Sequence, residues 1–388
     1  MKNSLLMYPR PDGEFGARNR VAVLSTVACA NHVAQEIAAL CSLADAYPNN
    51  YGCDQLGPDF DLTHAMMLAM GRHPNVGAVL VVGLGCEQIN AETLAGELAD
   101  GERPVEWLEI QQEGGTTASI QKGRAVVTGL AREIDGQKRE KAPLSALCLG
   151  VECGGSDYTS GLAANPALGL AVDELTGAGA RVIFGETTEL MGAEAVILPR
   201  CADAATRRFI RDKIAFIEDY ARNLRIDIRG AQPSPGNIRG GLSTIEEKSL
   251  GAICKSGQAP IVDALDFGQK AVKPGVSFMD TPGNDLACTL GLCAGGAQVI
   301  VFTTGRGTPM GFAAAPVIKA TGNRHIARVM HENIDCDLSG IISGDLSLRE
   351  GGRALLDLVL QTAEGREVAA ERLGHKEFGY YRISGLLL

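Results

Sequence analysis

At 388 residues and 40.7 kDa the chain is long enough for two or three packed units, each with a buried core. With 45% hydrophobic residues, 21% charged residues and a mean hydropathy of +0.05, it lies outside the composition of disordered chains. A formal charge of -10 and a pI near 5.2 argue against nucleic acid or an anionic membrane as partner, so an anionic ligand needs Arg and Lys gathered locally. The 48 Gly and the 5% aromatic content suit an α/β enzyme with many tight turns. Residues 1–15 have no long apolar run, so no signal peptide is expected and the protein is expected in the cytoplasm. Eleven Cys in such a chain are expected to be reduced thiols or metal ligands rather than a disulfide framework.

Apolar strand-like runs alternate with helical periodicity along the chain, which predicts βαβ units around mainly parallel sheets flanked by helices. In order, the pattern predicts a strand over 21–27, helices over 31–44 and 61–72, a buried strand over 76–84, a helix over 91–98, a strand over 105–110 and a long helix over 116–134. The polar stretch 135–143, DGQKREKAP, is the best linker candidate and divides the chain into expected α/β domains at 1–138 and 139–388. Beyond it come strands over 144–151 and 180–184, helices over 166–177 and 202–224, a Pro- and Gly-rich loop over 229–241, and a helix over 243–255. Strands over 276–279 and 299–303 and a helix over 346–364 complete the pattern, with the active site expected in the cleft between the two domains.

Several strand ends carry chemistry. Gly83-Leu-Gly-Cys86-Glu87 and Gly150-Val-Glu-Cys153-Gly154 both close an apolar strand with Gly-x-x-Cys, and the strand over 21–27 runs into Cys29, with His32 one helical turn on. Ligands of parallel sheets sit at strand carboxyl ends, so Cys29, Cys86 and Cys153 are candidate metal ligands, joined by Glu87 and by Asp280 in the turn Asp280-Thr-Pro-Gly283. Thiolates would favour iron over magnesium. An iron–sulfur cluster on three of these Cys is the alternative. Two glycine-rich loops are candidate anion sites: Gly154-Gly155-Ser156-Asp157, and Thr304-Gly305-Arg306, whose guanidinium can grip a carboxylate in a bidentate pair. Neither is a nucleotide-binding fingerprint. Glu186, Glu189, Asp280 and Asp285 are the strand-end acids, and Cys41, Cys148, Cys201, Cys254, Cys288, Cys293 and Cys336 read as packing.

Ordered motifs resemble a known family. Tyr8-Pro-Arg-Pro-Asp-Gly-Glu-Phe-Gly-Ala-Arg18-Asn19, His73-Pro-Asn-Val, Val82-Gly-Leu-Gly-Cys-Glu87, Gly114-Gly-Thr116, Cys153-Gly-Gly-Ser-Asp157, Asn165-Pro-Ala-Leu-Gly169, Gly185-Glu186, Ser234-Pro-Gly-Asn237, Gly240-Gly241, Glu247-Lys-Ser-Leu-Gly251, Phe278-Met-Asp-Thr-Pro-Gly283 and Phe302-Thr-Thr-Gly-Arg-Gly307 are similar to the catalytic region of altronate and galactarate dehydratases. The resemblance implies a hydro-lyase that removes water across C2 and C3 of a sugar acid to leave a 2-keto-3-deoxy acid, with Fe2+ or another divalent ion such as Mn2+ or Mg2+. It carries Lys248 and Glu186 as candidate bases and Arg306 as catalytic cation. Arg18, Asn19, Gly154, Gly155, Ser156, Asp157, Asn165, Thr304, Gly305 and Arg306 are its substrate-binding candidates. Single-chain members place a small domain before the Tyr-x-Arg-Pro-Asp-Gly segment, which begins here at Tyr8, so a separate small subunit of roughly a hundred residues is the expected partner. A homo-oligomer is also compatible.

Two segments depart from the family pattern: Asn49-Asn-Tyr-Gly-Cys-Asp-Gln55 replaces a Thr-His before Gly-Cys, and Glu186-Thr-Thr-Glu189 replaces Glu-Thr-Pro-Glu. A sulfo-lyase that expels sulfite from sulfolactate by the same C2 deprotonation is therefore the second reading. A third, a non-catalytic sugar-acid binding subunit, would have inert residues where Cys86, Cys153, Glu186, Asp280 and Arg306 stand.

Overall fold

The computed structural model describes residues 4–101 and 103–382. The chain is an α/β protein of two compact units. One, the N-terminal unit, comprises 4–142 with 312–315 and the segment from Lys376; the other, the C-terminal unit, comprises 143–311 and 316–375.

In the N-terminal unit a four-stranded sheet runs in the order Ala44–Tyr47, Arg20–Ser25, Val76–Gly83, Val105–Glu109, and every pairing is parallel. Val76–Gly83 is buried along its whole length, as a central strand covered on both faces must be, which is why it reads as an unbroken apolar run. Helices Asn31–Ala39 and Thr116–Asp135 cover one face, with Ile37, Val127, Leu130 and Ile134 packed onto Val21, Val23, Leu80 and Val82. The predicted helix over 31–44 ends at Ala39, because 44–47 pairs with Val21–Leu24 as an edge strand and that pairing overrides the helical propensity of its alanines. The stretch 135–143 is not all linker: Glu140–Pro143 is a strand of a small sheet with Ser4–Pro9 and Phe15–Gly16.

In the C-terminal unit a seven-stranded sheet runs Ile261–Leu265, Gly275–Met279, Arg181–Phe184, Cys148–Cys153, Val299–Thr303, Val317–Thr321, Cys336–Asp337, again all parallel. The chain leaves Cys148–Cys153 toward one edge and returns on its other side at Val299–Thr303, so the strand order reverses between these two neighbours. Long helices start where the sequence supplies caps: Asp203 accepts from the Thr206 N–H at 2.7 Å, and Ser347 forms a capping box with Glu350. The Pro- and Gly-rich loop holds a short helix, Pro235–Arg239, opened by a Ser234–Asn237 capping box. Among the described residues, no helix is long and apolar enough to cross a membrane.

Candidate active site

The two glycine-rich loops predicted to bind an anion lie side by side at the strand-order reversal. The Gly154 N–H donates to the Thr303 carbonyl at 3.1 Å and the Arg306 N–H to the Gly155 carbonyl at 2.9 Å. This is the crevice of a parallel sheet in which ligands bind. Small residues are obligatory here: a Cβ on Gly154 would lie 2.9 Å from both carboxylate oxygens of Asp285, and one on Gly305 would lie 2.2 Å from the Asp157 carboxylate carbon. Asp157 is a scaffold, its Oδ1 accepting from the Thr159 N–H (2.8 Å) and the Ser160 N–H (3.1 Å) and its Oδ2 from Asn323 (2.8 Å). A π-helical turn, Ser160–Ala164, then leads into Asn165–Gly177, an insertion often found at functional sites. Asn165 donates to Cys153 Sγ at 3.3 Å and to the Gly251 carbonyl at 3.0 Å, and accepts from Thr303 Oγ1.

Behind these loops sits a buried ionic cluster. Lys255 is 1% exposed, its Nζ 2.5 Å from Glu189 Oε2 and 3.2 Å from Glu186 Oε2. Glu186, Glu152 and Asp285 each offer a carboxylate oxygen within 4.8 Å of the others. Both Glu152 oxygens are buried with no hydrogen-bond partner beyond the weak thiol donor of Cys288. Burial pushes the Glu152 carboxyl up to about 8, with Lys255 opposing. Burial, and then the charges of Glu152 and Glu189, lift Glu186 well above the usual carboxylate range. Burial, with Glu189 adding to it, raises Asp285 as well. Burial also acts on Glu189, but Lys255 and Lys248 outweigh it and hold that carboxyl low; in return Glu189 and Glu186 lift Lys255 against the opposing effect of burial. Three carboxyls too crowded and too buried to ionise together, one of them orphaned, form an oxygen-donor set that fits a hard divalent cation.

Glu186 is held by its backbone. It occupies the left-handed region at φ 69, rare for a residue with a side chain, and its N–H donates to Thr281 Oγ1 at 2.6 Å. Gly185 permits the approach, since a Cβ there would lie 2.5 Å from that same oxygen.

Lys248, on the helix Ile245–Ile253, lines a cavity of about 210 Å³ with Ser156, Asp157, Tyr158, Asn165 and Glu247. Its Nζ donates to Gln232 Oε1 at 3.1 Å and lies 3.9 Å from Glu189 Oε1. Arg306 lines a second cavity, of about 400 Å³, with Arg239, Asn323 and His325; Asp157 and Tyr158 border both cavities. Among the described residues, the exposed Arg306 guanidinium makes no ion pair. Thr304 is buried and its hydroxyl accepts from the Gly307 N–H at 3.0 Å.

The remaining predicted residues have other surroundings. Asp280 does not join the carboxylates: its Oδ2 is 2.8 Å from Lys213 Nζ and its Oδ1 accepts from Thr187. Cys153 lies beside the cluster, buried, with Ser156 Oγ at 3.2 Å, and burial pushes its thiol up. Cys29, Cys86, Glu87, Arg18 and Asn19 belong to the N-terminal unit. Arg18 donates to the Ala17 carbonyl at 2.9 Å, while Asn19 accepts from Arg10 at 2.8 Å and donates to the Ile134 carbonyl at 2.9 Å. Glu152 and Lys255 were not singled out from sequence. Glu152 sits inside an apolar strand and Lys255 at the tail of a helical pattern, where a lysine ordinarily reaches solvent.

A parallel α/β scaffold here gathers acids, an amine and glycine loops at its strand-order reversal, where sheets of this class take their ligands. Residues 144–385 match the family described as D-galactarate/Altronate dehydratase, C-terminal, and residues 7–135 match D-galactarate dehydratase/Altronate hydrolase, second domain. The chain is 38% identical to the (2R)-sulfolactate sulfo-lyase subunit beta of Chromohalobacter salexigens over 98% of its own length and 97% of the relative's. It is 34% identical to the altronate dehydratase of Bacillus subtilis and 35% identical to that of Escherichia coli, over 98% of this chain and 78% of each relative. The chain belongs to the galactarate/altronate dehydratase family and is a lyase.

Proposed function

We propose that this lyase removes the C2 proton of a 2-hydroxy acid anion and expels the C3 substituent, with dehydration of an altronate- or galactarate-like sugar acid to its 2-keto-3-deoxy acid as the reaction. The observation that carries the reading is Lys248 on the cavity wall with the Glu189–Lys255–Glu186 cluster behind it. Of the two candidate bases, Lys248 borders the cavity, whereas Glu186 is buried and engaged by Lys255. Lys248 takes the proton from C2 and returns it to the departing C3 hydroxyl, so that water leaves and the enol left behind becomes the keto acid. Glu189 stabilises the ammonium formed between the two transfers. Arg306, flanked by Gly305 and the hydroxyl of Thr304, binds a substrate carboxylate.

Glu152, Glu186 and Asp285 would hold a divalent ion, Fe2+ first and Mn2+ or Mg2+ otherwise, and such an ion, when bound, supplies Lewis-acid stabilisation to a developing enediolate. The partner is a small subunit of roughly a hundred residues, a reading supported by the relative named as a subunit beta. That relative also favours a second reading, in which sulfite rather than hydroxide leaves C3 of sulfolactate. The test is incubation of the two-subunit enzyme with ferrous iron and a panel of aldonic and aldaric acids, together with sulfolactate. Formation of 2-keto-3-deoxy acid from a panel member is the expected result. Sulfite from sulfolactate with no keto acid from the panel would replace the first reading by the second.

A further inference from the structure

The proposed reaction leaves the strand-order reversal of the N-terminal sheet unused, and three thiols stand there. Strands Arg20–Ser25 and Val76–Gly83 are neighbours whose chain connections leave in opposite directions. Cys29 follows the first, Cys86 follows the second, and Cys53 lies in the loop after the edge strand Ala44–Tyr47.

Backbone hydrogen bonds fasten the three loops to one another. The Ala28 N–H donates to the Tyr51 carbonyl at 2.9 Å, and the Gln88 N–H to the Gly52 carbonyl at 3.3 Å. Gln55 N–H donates to Gln88 Oε1 at 3.0 Å, and Asn49 Nδ2 to the Thr26 carbonyl at 2.9 Å. Gly52 packs so closely that a Cβ there would lie 2.3 Å from the Thr26 carbonyl oxygen. Glu87 shapes the third loop: its Oε1 accepts from Thr26 Oγ1 (2.6 Å) and the Leu84 N–H (3.0 Å), its Oε2 from the Gly85 (2.7 Å) and Cys86 (3.0 Å) N–H groups. With four donors on its two oxygens, Glu87 is a buttress.

All three thiols are free, Cys29 and Cys86 exposed and Cys53 half-buried, and the nearby Cys86 and Cys29 add to burial in pushing the Cys53 thiol up. Three sulfurs that repel one another as thiolates are drawn together by a cation. They are not all within 4.8 Å of one another. A single ion with metal–sulfur bonds of about 2.3 Å would hold three sulfurs at roughly 4 Å, closer than these stand, whereas a polynuclear cluster takes its thiolates from loops set wider apart.

We infer that Cys29, Cys53 and Cys86 form a three-thiolate site for an iron–sulfur cluster of the [4Fe–4S] class, with its fourth iron open to solvent. Each thiol passes its proton to solvent as it binds iron. Supplying ferrous and ferric iron in equal amounts with sulfide assembles such a cluster with no net oxidant. The inference does not depend on which acid the enzyme consumes.

The experiment is anaerobic reconstitution of the full chain with that mixture, followed by iron and sulfide analysis and visible spectroscopy. The expected result is about four iron and four sulfide per chain, with a broad visible absorption that bleaches on reduction. Cys29→Ser, Cys53→Ser and Cys86→Ser should each lower iron and sulfide content at least several-fold, with the corresponding Cys→Ala variants agreeing, while Cys41→Ser binds as the parent does. Iron retained without sulfide, or undiminished cluster content in all three variants, would overturn the assignment. So would a disulfide between any two of these thiols in the protein as isolated.

Discussion

Replacing Lys255 with Met tests the buried cluster most directly. The substitution keeps an unbranched chain but leaves Glu189 and Glu186, 3–5% exposed, without the ammonium that lies 2.5 and 3.2 Å away. Removing one partner of a buried ion pair costs about 3–5 kcal/mol, because the other charge stays desolvated. At about 2–4 °C per kcal/mol for a unit of this size, Tm should fall by roughly 6–20 °C. The loss depends on pH with a definite sign. In the parent, Glu189 is held below the usual range, so its contribution is present above the ordinary carboxylate pKa and lost only as pH falls through the lowered value. In the variant, burial acts on Glu189 with Lys255 gone, its carboxyl moves upward, and stability declines as pH rises past the ordinary value. Calorimetry at pH 5 and pH 8 should therefore find the larger deficit at pH 8. Adding Glu189→Gln removes both members of the pair and should restore at least half of the loss. A deficit below about 2 °C that is equal at both pH values would refute the reasoning.

Glu152→Gln should raise Tm in chelator at pH 7.5, because a carboxyl raised to about 8 opposes folding increasingly as pH climbs from the ordinary carboxylate value toward 8. Mn2+ should raise the Tm of the parent and leave that of the variant unmoved, and equal responses would remove Glu152 from the cation site. Arg306→Lys should reduce kcat/KM by about tenfold or more with Tm unchanged, since lysine keeps the charge and loses the planar fork; unchanged kcat/KM would place the carboxylate elsewhere. Gly154→Ala drives a methyl to 2.6 Å from Phe302 Cζ and 2.9 Å from Asp285, so it should cost about 1–3 kcal/mol in denaturant unfolding and disturb metal binding; a wild-type denaturation midpoint would contradict this.

The alternation of strand and helix in the sequence carried the parallel α/β architecture, and the two loops that strand-end logic singled out, Gly154–Asp157 and Thr304–Arg306, 150 residues apart in the chain, are hydrogen-bonded neighbours. It failed where a charge is buried by tertiary structure alone. Glu152 stands between Val151 and Cys153 in a strand whose six residues are all buried, and nothing local separates it from an outward-facing acid. Lys255 was predicted as the last residue of a helix, but the helix ends at Ile253 and a 3-10 turn brings the lysine inward to Glu189. Of Asp280 and Asp285, five residues apart, the sequence pattern favoured Asp280 as a metal ligand, yet Lys213 pairs with it and Asp285 stands with Glu152 and Glu186. Cys53 was read only as part of a segment that departs from the family pattern and not as a strand-end thiol, because it follows an edge strand whose alanines read as helix.

The uneven burial of the thiols also determines what can be attached to this protein. Burial pushes the thiols of Cys153, Cys288 and Cys293 up, so at neutral pH they stay protonated and out of solvent. Cys29 and Cys86 stand exposed. A maleimide dye added to the folded, metal-free chain would therefore tag one crevice of the N-terminal sheet first, giving a fluorescent handle on that crevice without removing a single cysteine.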